Sequence, residues 1–357
     1  MYLKSITLEN FRNYEKQTID FNKNINIIYG NNAQGKTNII EAIFLCAYGK
    51  SFRAKKDADL IRFDENNASV ELTYEKVDRE GKLKAVVNDE KKVFFSNGIK
   101  LTKISDIVGK INVVIFTPDD INIIKEGPKE RRRFIDMMIS SLKPNYLHLL
   151  NLYNKVIEQR NNYLRQIKLE NKSPNMLEIW DEQLADYSSK IYEYRNLYIN
   201  KISEIIDSIY KNIVGNDKES IKIKYISSGK NKESFLEILK KSKEIDIKRG
   251  FTSTGIHRDD FILYINGRPA NVYGSQGQKR TLLLSLKICE LEIIKEEIND
   301  TPILLLDDFM SELDESRRNN FLENIKDNQI IITCTDKIEI DNDYYQFFVE
   351  NGKCKKE

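Results

Sequence analysis

An α/β fold interrupted by an inserted α-helical domain is predicted by three features of this 357-residue chain. A glycine-containing turn lies between an apolar strand and a helix near the start. A second apolar strand, ending in two carboxylates, lies near the far end. Between them runs a long stretch with helical periodicity and few glycines. The outer segments, 1–120 and 250–357, are expected to form one lobe with mixed sheets, and 121–249 the insert.

In the first segment, short strands are expected over 6–8, 25–29, 69–74, 84–87 and 113–116, giving the lobe a meandering edge. The strand over 25–29 runs into Gly30-Asn31-Asn32-Ala33-Gln34-Gly35-Lys36-Thr37, which matches G-x-x-x-x-G-K-[ST], and a helix is expected over 38–47. Glycine is needed there because the backbone must approach phosphates closely and aim successive N–H groups at them. Lys36 would reach the β- and γ-phosphates, Thr37 would offer its hydroxyl to Mg²⁺, and the helix opening at Asn38 would add the positive end of its dipole. The expected ligand is therefore ATP with Mg²⁺.

In the middle segment, Tyr146, Leu149, Leu150, Tyr153, Ile157, Leu164 and Ile167 form one apolar stripe at helical spacing. Trp180, Leu184, Tyr187, Ile191, Tyr194, Tyr198, Ile202 and Ile205 form another. Two stripes separated near Pro174 predict an antiparallel helical hairpin. At this spacing the tyrosines read as packing against the partner helix, with stacking on exposed bases as the alternative. The insert counts 129 residues, so at ~1.5 Å per residue a helical pair reaches under ~100 Å. That is a stub rather than a long coiled coil.

In the last segment, strands are expected over 260–266 and 329–334. Between them Ile303-Leu304-Leu305-Leu306-Asp307-Asp308 reads as a central parallel strand carrying acids to its carboxyl end. Asp307 is the candidate Mg²⁺ holder, and Asp308 is placed to orient or deprotonate an attacking water.

The composition limits the remaining possibilities. Lys+Arg number 57 against 55 Asp+Glu, so any nucleic-acid binding must come from local patches. No apolar stretch approaches the ~18 residues of a membrane span, and Met1-Tyr2-Leu3-Lys4 does not read as a secretory signal. Cys46, Cys289, Cys334 and Cys354 are widely spaced without a C-x-x-C, as expected of reduced thiols in the cytoplasm. His257 with Asp259 and Asp260 has the look of a metal set, but with no second His or Cys nearby a structural role is the reading.

Ser275-Gln276-Gly277-Gln278, about thirty residues before Asp307, resembles the signature motif of ABC-type ATPases, and Ser311-Glu312-Leu313-Asp314 resembles their D-loop. Within that class the chain resembles the RecF family of bacterial recombination mediators. The resemblance rests on Leu8-Glu9-Asn10-Phe11-Arg12-Asn13-Tyr14, Gly49-Lys50-Ser51-Phe52-Arg53, Gly127-Pro128-Lys129-Glu130-Arg131-Arg132-Arg133-Phe134-Ile135-Asp136 and Gly255-Ile256-His257-Arg258-Asp259-Asp260. It implies an ABC/SMC-type ATPase head in which Ser275, Gly277, Gln278 and Asp314 of one subunit complete the site formed by Lys36, Thr37 and Asp307 of another, so that ATP drives homodimerisation. Arg12 would touch nucleotide. Arg53, Lys55, Arg131 and Arg132 are the candidate DNA contacts, Arg53 and Lys55 by likeness to a basic loop of related heads. The implied activity is slow, DNA-stimulated ATP hydrolysis by a nucleoid-associated dimer. It would recognise single-/double-strand DNA junctions at gaps and, with RecR and RecO, help load RecA. Two other readings are an SMC-like head of a nuclease or chromosome-tethering machine and a transporter ATPase subunit; the short insert disfavours the first, its helical length the second. Departures from the wider class are Asp308 where Glu is usual, Thr333-Cys334-Thr335 where a switch His is expected, Phe116-Thr117 where Phe-Gln is expected, and Ile256 in place of a Pro usual in the family.

Overall fold

Two side-chain patterns distinguish the sheets of this computed structural model, which describes residues 1–77, 79–170, 172–308, 320, 321, 323, 325–337 and 343–357. The first strands are β1 (Tyr2–Phe11), β2 (Tyr14–Asp20) and β3 (Ile25–Tyr29), followed by helix α1 (Lys36–Tyr48). Next come β4 (Asn67–Lys76), β5 (Arg79–Asn88), β6 (Lys92–Ser96), β7 (Ile99–Lys100) and β8 (Val113–Phe116). The middle holds α2 (Asn122–Lys125), α3 (Pro128–Leu142), α4 (Pro144–Glu170), α5 (Leu177–Val214), β9 (Ile221–Ile226), α6 (Lys232–Arg249), β10 (Asp260–Ile265), β11 (Arg268–Pro269), α7 (Ala270–Tyr273) and α8 (Gln276–Ile298). The last strands are β12 (Ile303–Asp307), β13 (Ile330–Cys334), β14 (Tyr344–Glu350) and β15 (Lys353–Lys356).

The chain forms two units, Met1–Asp120 with Glu290–Glu357, and Ile121–Cys289. In the first unit, strands with alternating burial such as β1, β4 and β5 build an antiparallel sheet in the order β2-β1-β4-β5-β6-β7. Four strands buried along almost their whole length, β3, β8, β12 and β13, belong to the other sheet, β15-β14-β3-β13-β12-β8, whose β14 and β15 are more exposed. Its members pair in parallel except for the β14/β15 hairpin. Helix α1 touches strands of both sheets, which explains why only Thr37 and Asn38 of its residues escape burial. Strands β3 and β12 are not neighbours. Strand β13 lies between them, with Thr333 opposite Asp307 on one side and Ile28 on the other.

In the second unit α4 and α5 form a helical hairpin closed by a tight turn at Pro174–Met176. Helix α5 has 38 residues, about 57 Å at ~1.5 Å each. Tyr146, Tyr153 and Tyr198 are buried, and the Tyr146 and Tyr194 rings meet edge to face at 5.4 Å, so these tyrosines pack within the unit. The expected stripe is incomplete in two ways. Leu150, Ile157, Trp180, Tyr187, Tyr194 and Ile205 are only half-buried, and the buried face also takes in Arg160, Asp181 and Arg195. The second boundary also differs from the expected one. Residues 250–289 group with the helices rather than with the last strands, because β10 pairs antiparallel with β9 along Asp260↔Ile226 to Ile265↔Ile221.

Candidate nucleotide site

The phosphate-binding sequence is locked from several sides. Gly30 has φ +143° and a Cβ there would lie 2.4 Å from the Val349 carbonyl oxygen; Gly35 has φ +115° and its Cβ would meet the Asn13 amide at 2.6 Å. Both positions thus require glycine for backbone conformation and for space. The Asn13 amide donates to the Gln34 carbonyl at 2.7 Å and accepts from the Asn38 amide at 2.6 Å, while the Tyr14 hydroxyl donates to the Gly35 carbonyl at 3.2 Å. From the β14/β15 turn, Asn351 N–H donates to Gln34 Oε1 at 2.7 Å. The loop is therefore preformed, with Lys36 Nζ held over it by the Gly30 and Asn31 carbonyls at 2.6 and 3.0 Å.

Thr37 and Asp307 are 270 residues apart and in direct contact: the Thr37 hydroxyl donates to Asp307 Oδ1 at 2.8 Å. The same oxygen accepts from the Thr333 hydroxyl at 2.8 Å, and Thr333 Oγ1 accepts the Asp308 N–H at 3.0 Å. Burial, together with the charge of Asp308, pushes the Asp307 carboxyl above the usual carboxylate range, against the two threonine hydroxyls that pull it down. A hydroxyl that gives its one proton to Asp307 keeps its lone pairs for a cation, and a buried carboxylate beside a second carboxylate is relieved by one. The donor set fits Mg²⁺ held by Thr37 and Asp307.

One turn along α1, Glu41 is fully buried. Arg12 donates to it at 2.9 and 2.7 Å, Arg53 at 3.1 and 2.9 Å, and Ser51 at 2.6 Å. Burial alone would raise the Glu41 carboxyl; these hydrogen bonds bring it below the usual range. The two expected ligand-touching arginines thus share a carboxylate that the sequence reading did not single out. Lys55 lies exposed beyond Arg53.

In the second unit Ser275 is exposed and caps α8 reciprocally with Gln278: Ser275 N–H donates to Gln278 Oε1 at 2.7 Å, and Gln278 N–H to Ser275 Oγ at 3.2 Å. This is the S-x-x-Q capping box, present in the sequence but not recognised there. Gln278 also donates to Glu219, whose other oxygen accepts from Tyr210 of α5. The helix start thus presents an N-terminus suited to an anion. Asp314 lies outside the described residues.

The structure removes Arg131 from the candidate DNA contacts. Its side chain is buried against Asp260 at 2.6 and 2.9 Å and donates to the Ile123 and Glu126 carbonyls, leaving no face for a phosphate. Arg132 is half-buried and donates to the Asp259 carbonyl at 2.6 Å. His257 lies between the Tyr153 hydroxyl, 2.6 Å from Nδ1, and the Thr252 carbonyl, 3.2 Å from Nε2. Burial lowers its pKa to about 4, so the neutral ring is the stable form.

The family model described as RecF/RecN/SMC N terminal domain matches residues 2–355. The chain is 47% identical over 354 residues to the DNA replication and repair protein RecF of Acetivibrio thermocellus, covering 96% of this chain and 95% of that one. The chain belongs to the RecF family. The RecF protein of Clostridium acetobutylicum is 44% identical, with 99% of each chain covered. A solved structure of the recombination mediator RecF with ATP, from the RecFOR pathway, superposes with a TM-score of 0.94 at 41% identity, covering 99% of this chain and 97% of that one. An Smc head from Pyrococcus furiosus superposes at 0.58 with 20% identity over 99% and 95% of the two chains, a likeness of fold. The RecF fold is thus an SMC-type ATPase head with mixed sheets and a helical unit. Among the described residues no helix is long and apolar enough to cross a membrane.

Proposed function

We propose that this RecF-family chain is a DNA-binding ATPase used as a switch: two copies close on ATP, the closed pair binds single-/double-strand DNA junctions at gaps, and slow, DNA-stimulated hydrolysis reopens it. The observation that carries this reading is the Thr37–Asp307 contact beneath a preformed phosphate loop. Lys36 and the loop N–H groups bind the phosphates, and Asn38 and Gln34 hold the loop to Asn13. Mg²⁺, held by Thr37 and Asp307, would neutralise charge developing on the phosphates. Asp308 orients the attacking water and accepts its proton. Ser275, Gly277 and Gln278 at the start of α8 in a second copy, with Asp314, complete the site around the terminal phosphate. Arg12 stands beside it, and Arg53, Lys55 and Arg132 carry part of the DNA contact. The solved relative belongs to a RecFOR pathway, which supports RecR and RecO as partners in loading RecA.

The test is the solution mass by light scattering with and without ATP and Mg²⁺, for the wild type and Ser275→Arg. A mass that doubles with ATP in the wild type alone supports the paired switch. A mass indifferent to ATP overturns it.

A further inference from the structure

Four cations surround the end of α6 without acidic partners among the described residues. Gly250 ends that helix with φ +77°, and a Cβ built there would lie 3.5 Å from Cγ of Arg165 and 3.6 Å from Cδ of Lys168, both on α4. Lys248 and Arg249 precede Gly250 on α6. A fifth cation, Arg258, stands over the ring of Phe251, the next residue, at 5.8 Å. All five are exposed, and none makes an ion pair with a described residue. Glu170, further along α4, is already paired with Lys172 at 3.1 Å.

Helix electrostatics explain part of the patch. Lys168, Lys248 and Arg249 lie in the last turns of their helices, where cations meet the negative end of the dipole. Each helix end carries roughly half a negative charge, so two ends offset about one of the five cations. Arg165 and Arg258 lie outside those last turns. The remaining surplus is held on a stiff base: the segment after Gly250 is tied down by Thr252 N–H to Asn161 at 2.7 Å, Ser253 N–H to Asp246 at 2.9 Å, and Arg160 to Asp246 and Thr252 at 2.8 and 2.9 Å. Long side chains on a rigid base, exposed and without ion pairs among the described residues, suit a row of phosphates more than a single carboxylate.

We infer that Arg165, Lys168, Lys248, Arg249 and Arg258 form a binding surface for the phosphate backbone of DNA. The inference rests on the DNA reading above and moves the main contact of this unit from the buried Arg131 to the end of α6. The contact is to phosphates, so it adds affinity and salt dependence without sequence preference.

The experiment is fluorescence anisotropy of a labelled duplex with a single-stranded overhang, titrated with full-length protein, ATP and Mg²⁺ from about 50 to about 200 mM salt. The wild type is compared with a quadruple variant, Arg165→Gln, Lys168→Gln, Lys248→Gln and Arg249→Gln. At about 0.9 per phosphate, the slope of log affinity against log salt should shrink by about 3 to 4, with affinity at the lower salt falling roughly 10- to 100-fold. The substituted residues are exposed, so circular dichroism and the ATP-dependent mass should be unchanged. A variant that keeps the wild-type slope overturns the surface while leaving the DNA reading in place. A wild type that does not bind the duplex overturns the DNA reading itself.

Discussion

Thr333 donates its hydroxyl proton to Asp307 at 2.8 Å across two neighbouring parallel strands, while its oxygen accepts the N–H of Asp308 at 3.0 Å. One buried hydroxyl therefore sets both acids. Asp308 has φ +46°, a left-handed conformation that short polar residues adopt with outside support.

Thr333→Val keeps the side-chain shape and removes that support. It takes the Thr333 acceptor from the part-buried Asp308 N–H and a hydroxyl donor from Asp307, which should cost about 1–3 kcal/mol in denaturant unfolding. Single-turnover ATP hydrolysis should fall at least about tenfold while nucleotide binding changes little, and Thr333→Ser should restore most of both. Equal hydrolysis by Val and Thr proteins would remove Thr333 from the mechanism.

Asp308→Asn retains the shape of the acid and loses its ability to take a proton. The expected result is ATP-driven pairing that persists, with hydrolysis reduced by about 10²–10⁴-fold, read by light scattering and phosphate release. An Asp308→Asn protein as active as the wild type would sink the assignment. Lys36→Ala should instead abolish nucleotide binding and, with it, pairing.

Glu41→Gln leaves Arg12 and Arg53 with a neutral partner. Because these arginines are partly exposed, the loss is expected at about 1–3 kcal/mol rather than the value for a fully buried pair. The Glu41 carboxyl sits below its ordinary range in the folded state, so its contribution is present above the unfolded pKa near 4.5 and disappears as pH falls through the folded value. Urea unfolding at neutral and acid pH reads this out: the gap between wild type and variant should close in acid.

His257 behaves oppositely in kind but with the same direction in pH. Its folded pKa, about 4, lies below the ordinary 6.5, so the neutral ring supports the fold above about pH 6.5. That support is lost as pH drops toward 4, at up to about 1.4 kcal/mol per pH unit. His257→Gln should flatten this slope in the unfolding free energy of the protein. An unchanged slope would place the pH sensitivity elsewhere.

The nucleotide loop was legible in the sequence because its determinants are adjacent: the strand over 25–29, the glycines and Lys36-Thr37 act within thirteen residues. The acid-bearing strand was legible for a similar reason, since four buried residues in a row need both faces covered. The hairpin followed from helical period, which gave no sign of the buried Arg160, Asp181 and Arg195. A period marks apolar positions and cannot announce that a charge is buried with its partner from another helix. The serine–glutamine capping box was readable and was overlooked behind the likeness to a signature motif.

The sequence by itself determined the local devices: a glycine turn that admits phosphate, a strand that ends in two acids, helices long enough to pair. Only the tertiary structure decided the strand order that brings both Thr37 and Thr333 to Asp307, the gathering of Arg12 and Arg53 on Glu41, the burial of Arg131, and the convergence of α4 and α6 at Gly250. The physical reason is that local conformation depends on neighbours in the chain, whereas a hydrogen bond or a buried charge depends on which distant segments the packing of apolar faces brings together.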